Sequence, residues 1–156
     1  MPKPDRPTLC LDFDGTVHLY DSPWTNEWTI SDPPTPGAFE FILAALDGGW
    51  NVVLHTSRFR HHSAMEAIIR WFLEFGFPPD RLANDADNPD HREHDYVSPR
   101  DRLWDEFPTL GIREPCLRLS VIKPAAFVTL DDRALTFTGR WPDLDALRDF
   151  KPWNRP

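Results

Sequence analysis

Two aspartates, Asp12 and Asp14, close the apolar run in the stretch LCLDFDGTV, residues 9 to 17. A second acidic pair, Asp131 and Asp132, closes another apolar run in AFVTLDD, residues 126 to 132. A third run, WNVVLHT, residues 50 to 56, ends on Thr56 and is followed by Ser57 and Arg58. Lys123 stands just ahead of AFVTLDD. Buried acids are costly unless they are neutralised or coordinated. Asp and Gly are common turn residues, so a strand followed by a turn explains Asp-Phe-Asp-Gly-Thr on its own. It does not explain an acidic pair at a second strand end.

Four carboxylates at one sheet edge repel each other, and a hard divalent cation resolves that repulsion. Mg²⁺ takes oxygen ligands, usually one or two carboxylates with waters and a phosphate oxygen. The candidate ligands are Asp12, Asp14, Asp131 and Asp132. Asp12 is then placed for in-line attack on phosphorus, a step that carboxylates perform in forming an aspartyl-phosphate. Asp14, two residues on in an extended segment, projects to the same side. It is the candidate acid–base group, first for the leaving oxygen and then for water. Gly15 lets the chain turn away sharply. The Thr56 hydroxyl and the Lys123 ammonium are expected to hold the non-transferring phosphate oxygens and the charge that develops on them. Gly15, Thr16, Ser57 and Arg58 complete the expected phosphate-binding set.

The elements that must position these groups are readable from periodicity. Thr8 to Phe13 reads as a short buried strand. Residues 17 to 35 are rich in Trp, Pro and Asp and read as a flap. Pro36 suits a helix start with Thr35 as its cap. Phe39, Ile42, Leu43 and Leu46 recur at helical spacing up to Gly48-Gly49. After the WNVVLHT strand, Ser63 and Glu66 have the spacing of a capping box, ahead of a helix carrying Ile68, Ile69, Phe72 and Leu73. Residues 84 to 102 are almost wholly polar, and residues 77 to 116 read as a polar insertion with a short helix near 102 to 111. Residues 117 to 122 and 126 to 132 read as strands, LTFTG as a last short one, and 143 to 150 as a helix capped by Asp143. Alternating strands and helices predict an α/β fold with a mainly parallel sheet. In such a sheet, ligands bind outside the carboxyl ends of the strands.

Composition narrows the function classes. The chain has 156 residues, 40% of them hydrophobic and 27% charged, which suits one globular domain over residues 1–156. The net charge of -8 disfavours long polyanions as partners. Cys10 and Cys116 fit no disulfide framework or metal spacing. The start MPKPDRPT has no leader-like apolar segment, and no apolar run approaches ~18 residues, so a soluble cytoplasmic protein without membrane contact is expected. His91 and His94 lie among acids, but at no structural zinc spacing. His61 suits either a phosphate contact or a loop before a helix. Trp24, Trp28 and Tyr20 read as packing of the flap or as a lid.

The set of motifs resembles the haloacid dehalogenase (HAD) superfamily of phosphohydrolases. DFDGTV looks like its first motif, VVLHTSR its second, Lys123 its third and TLDD its fourth, in the right order. The segment KPAAFVTLDDRALTFTGRWP is similar to small phage and bacterial members with little or no cap domain. The resemblance runs from Thr8 to about Phe150 and is weakest over 17 to 35 and 77 to 116. It implies a Rossmann-like three-layer sandwich with a minimal cap, Mg²⁺, a nucleophile at Asp12 and a second aspartate at Asp14. It further implies that Asp14 meets the metal through its backbone carbonyl.

The expected function is that of a Mg²⁺-dependent phosphomonoesterase. Its substrate is expected to be a small phosphorylated molecule, with a nucleotide or a nucleic-acid end as candidates, and no protein partner is indicated. A phosphotransferase or phosphomutase would use the same residues, and a non-catalytic phosphate-ligand-binding protein would share the fold.

Overall fold

The computed structural model describes residues 6–84, 103 and 106–155. Five strands form one all-parallel sheet: β1 (Thr8–Leu11), β2 (Asn51–Leu54), β3 (Leu82–Asn84), β4 (Leu117–Leu119) and β5 (Val128–Leu130). Their order across the sheet is β3-β4-β2-β1-β5. The expected α/β architecture is therefore present.

Side chains alternate between the two faces of a strand. Leu9 and Leu11 of β1 share one hydrophobic cluster with Val52 and Leu54 of β2 and with Leu117 and Leu119 of β4. Helix α1 (Ala38–Asp47) adds Ile42 and Leu46 to it, and helix α2 (His62–Glu74) adds Ile68, Ile69 and Phe72. Fully burying each such side chain stabilises by roughly 1.5–3 kcal/mol. That burial holds the strand ends in fixed relative positions. A short helix α3 (Leu144–Arg148) begins on Asp143, whose Oδ2 accepts from the Ala146 N–H at 3.3 Å. Among the described residues, no helix is long and apolar enough to cross a membrane.

Several local expectations change. Thr35 does not cap α1. Gly37 holds that position, and the Thr35 hydroxyl donates instead to the Thr16 carbonyl at 2.7 Å. Ser63 does not open a capping box, because α2 starts one residue earlier. His61 is its cap and accepts from the Ser63 N–H. Strand β3 is too short for any apolar alternation to announce it. LTFTG forms no strand, so β5 is an edge strand. Residues 85–102, 104 and 105 lie outside the described residues, with His91, His94 and half of the expected insertion, while residues 106–111 form turns rather than the expected short helix.

The strand order has one consequence for function. From β1 the chain moves to β2 on one side, whereas β5 lies on the other side of β1. The crevice between β1 and β5 is therefore a topological switch point, where ligands bind in open parallel sheets.

Candidate functional site

The register brings Asp12 to that crevice. Leu11 pairs with Leu130, and the Asp12 N–H then donates to the Leu130 carbonyl at 2.9 Å. Asp12 thus stands where β5 runs on into Asp131 and Asp132. One oxygen from each of Asp12, Asp131 and Asp132 lies within 4.8 Å of the others.

The two acids after β5 are not equivalent. Asp131 is exposed, and its Oδ1 accepts from the Arg133 N–H at 2.7 Å. The Asp132 side chain is 2% exposed, and its closest cationic atom is Arg133 Nε at 3.7 Å. Neither Asp132 oxygen has a hydrogen-bond partner among the described residues. The Asp132 carboxylate packs against Gly15, where φ is +76° and an added Cβ would collide with it. Glycine is required there on both counts. Thr16 Oγ1, one residue on, is a second buried polar atom without a partner.

Electrostatics follow from this crowding. Burial first, and then the charges of Asp131, Asp132 and Asp14, push the Asp12 carboxyl up to about 7, against a hydrogen bond from the Phe13 backbone. Burial likewise raises Asp132, with Arg133 opposing. Three clustered hard oxygens, one carboxylate of them buried and unpartnered, match the donors that Mg²⁺ takes. Asp12, Asp131 and Asp132 would hold it.

Asp14 has a different environment. Its Oδ1 accepts from Arg58 Nη2 at 2.9 Å and contacts His18 Nδ1 at 2.8 Å, and its Oδ2 accepts from Arg58 Nε at 2.7 Å. Burial acts to raise the Asp14 value, but the His18 and Arg58 bonds outweigh it and leave it below the usual carboxylate range. His18 Nε2 in turn accepts from the Asp32 N–H at 3.1 Å, which leaves Nδ1 as the donor to Asp14. One lone pair on Asp14 Oδ2 stays available for a water.

Arg58 is not a free phosphate contact. It is 2% exposed, and its remaining donor Nη1 bonds the carbonyls of Asn26, Glu27 and Thr29 at 3.0–3.1 Å. Its guanidinium also lies 4.6 Å from the Trp24 ring centroid. Thr56 is buried at the end of β2, and its Oγ1 accepts from the Arg58 N–H at 3.3 Å, capping the turn Ser57–Arg60. Its own O–H remains a donor. Ser57 is exposed. Lys123 lies exposed in the crossover between β4 and β5, and among the described residues it forms no ion pair with the clustered carboxylates. Its charge does act on the Cys10 thiol, which burial raises.

His18 is a site residue that sequence reasoning missed. The available signal was a histidine four residues after Asp14, the spacing that here lets the two side chains meet across a tight turn.

Compared with protein-family models, with curated proteins and with solved structures, the chain matches none. The site must therefore be read from its own geometry.

Proposed function

We propose that the protein is a Mg²⁺-dependent phosphomonoesterase of HAD-like, Rossmann-like design, acting through an aspartyl-phosphate on Asp12. The observation that carries this reading is the Asp132 carboxylate, buried with both oxygens unpartnered beside Asp12 and Asp131 at the switch point. Such a group persists when something absent from the polypeptide completes it.

In the first half of the reaction, an Asp12 oxygen attacks phosphorus and the bond from phosphorus to the leaving oxygen breaks. In the second half, water attacks the phosphorylated Asp12, inorganic phosphate leaves and the carboxylate is restored. Asp14, kept ionised by Arg58 and His18, is suited to take the proton of that water through its free lone pair. The same contacts work against Asp14 as a proton donor in the first half, so the acid part of its expected role is the weaker one. The hydroxyls of Thr16 and Thr56 supply donors for phosphate oxygens, and Lys123 is the candidate cation for the outer ones. Mg²⁺ bound by the three carboxylates would neutralise their mutual repulsion and the phosphate charge.

Phosphate release from a generic aryl phosphate, with Mg²⁺ and with a chelator, tests the reading. Release that requires Mg²⁺ supports it, and no release in either condition rejects it.

A further inference from the structure

We propose that the flap over residues 19–33 is a preformed stacking subsite for a flat aromatic leaving group, with the exposed indoles of Trp24 and Trp28 as its stacking surfaces. The inference rests on the phosphomonoesterase reading and names the class of ester it would take.

A loop without regular structure ordinarily holds its tip loosely. This one is tied down at many points. Its ends are joined by the Leu19 N–H donating to the Pro33 carbonyl at 3.0 Å. Asp32 accepts from both the backbone and the hydroxyl of Ser22, at 2.8 and 2.6 Å. Asn26 Oδ1 accepts from the N–H groups of Trp28 and Thr29, at 3.1 and 2.7 Å. Arg58 takes three of the tip carbonyls, and its other end is fixed on Asp14.

On this tied-down loop Trp24 and Trp28 are 49% and 45% exposed. Among the described residues, each indole has one close charged or ring neighbour. Trp24 rests on the Arg58 guanidinium, and the Trp28 ring packs 4.5 Å from the His61 ring. Arg58 and His61 lie in and just after the turn that follows Thr56, so both indoles stand at the carboxyl edge of the sheet, as the aspartate cluster does. Half-open indoles on a rigid frame pay little ordering cost when a ring settles on them. A flat π-face meets any nucleobase or aryl ring, so the subsite selects for flatness rather than for ring identity. The net charge of -8 favours a single nucleotide or aryl ester over a polymer.

The test compares adenosine 5′-monophosphate with ribose 5-phosphate, in Mg²⁺, for the wild type and for Trp24→Ala and Trp28→Ala. In the wild type, kcat/KM is expected to favour the nucleotide by about tenfold, chiefly through KM. Each alanine variant should reduce that ratio several-fold, and Trp24→Phe should restore part of it. A ratio near one in the wild type, or one that the alanine variants leave intact, overturns the subsite. A separate arm titrates adenosine, which carries no phosphate, and reads indole fluorescence. Quenching that is lost in Trp24→Ala supports the subsite even if neither ester is hydrolysed, in which case the phosphatase reading alone fails. Absence of quenching overturns the subsite even if both esters are hydrolysed.

Discussion

Arg58 meets Asp14 at two points, Nε on Oδ2 at 2.7 Å and Nη2 on Oδ1 at 2.9 Å, while its third nitrogen carries the backbone of the flap. One buried guanidinium thus couples the loop after β1, the turn after β2 and the flap. Lysine keeps the charge but cannot make the planar two-point contact.

Arg58→Lys should therefore cost roughly 2–4 kcal/mol, somewhat less than the loss expected on breaking a buried pair outright. It should also release the flap. Chemical denaturation reads the first effect, and faster proteolytic cleavage between residues 19 and 33 reads the second. A variant as stable and as protease-resistant as the wild type would show that the flap is held by other contacts.

Gly15→Ala tests the close approach of Asp132. Its positive φ alone is worth about 1–3 kcal/mol of strain for a residue with a side chain. The new Cβ must also push the Asp132 carboxylate away. Lower stability together with weaker Mg²⁺ binding by calorimetry is the expected pair of outcomes. Loss of stability with metal affinity intact would separate Asp132 from the metal.

How much of this was legible in the sequence depends on the range of the interaction. Asp12, Asp131 and Asp132 were readable because each follows an apolar run that must be buried, and parallel pairing then aligns the run ends. That Asp131 and Asp132 differ follows from neighbouring strand residues pointing to opposite faces, but which of them is buried needed the position of Gly15, which lies 117 residues before Asp132 in the chain. The Arg58–Asp14 lock was not legible either. Arg58 was itself expected to contact phosphate, and nothing local shows that the flap carbonyls will claim its guanidinium. Thr35 and Ser63 failed as caps for a related reason. Both have good capping chemistry, but Thr35 found a tertiary acceptor at Thr16, and His61 reached the Ser63 N–H first.

Asp12→Asn should change the pH dependence of stability in metal-free protein. The folded-state value of Asp12 is raised to about 7, above its unfolded value. Its contribution to stability is therefore fully present below the usual carboxylate range and is lost as pH rises through about 7. The amide has no charge to bury. Denaturation midpoints of variant and wild type should agree near pH 4, move apart as pH rises toward 7 and stay apart above it, with the variant more stable by an amount on the order of a few kcal/mol. Parallel curves would mean that Asp12 is not desolvated in the folded protein.

Asp132→Asn and Asp131→Asn should behave differently despite being neighbours. The buried, unpartnered Asp132 carboxylate is the more costly of the two in metal-free protein, so its amide variant should melt higher at neutral pH. The exposed Asp131 should give a change within about 0.5 kcal/mol. Added Mg²⁺ should raise the wild-type melting temperature and do so far less in Asp132→Asn. Equal behaviour of the two variants would contradict the asymmetry seen between their side chains.

In the proposed reaction Asp12 itself takes the phosphoryl group. Acid-quenched single-turnover samples, digested and read by mass spectrometry, address it directly. With Mg²⁺ and an aryl phosphate, the wild type should carry a phosphoryl group on the peptide containing Asp12, and Asp12→Asn should carry none and release no phosphate. Phosphate release by Asp12→Asn at the wild-type rate, or a phosphoryl group trapped on another residue, would rule out Asp12 as the phosphoryl acceptor.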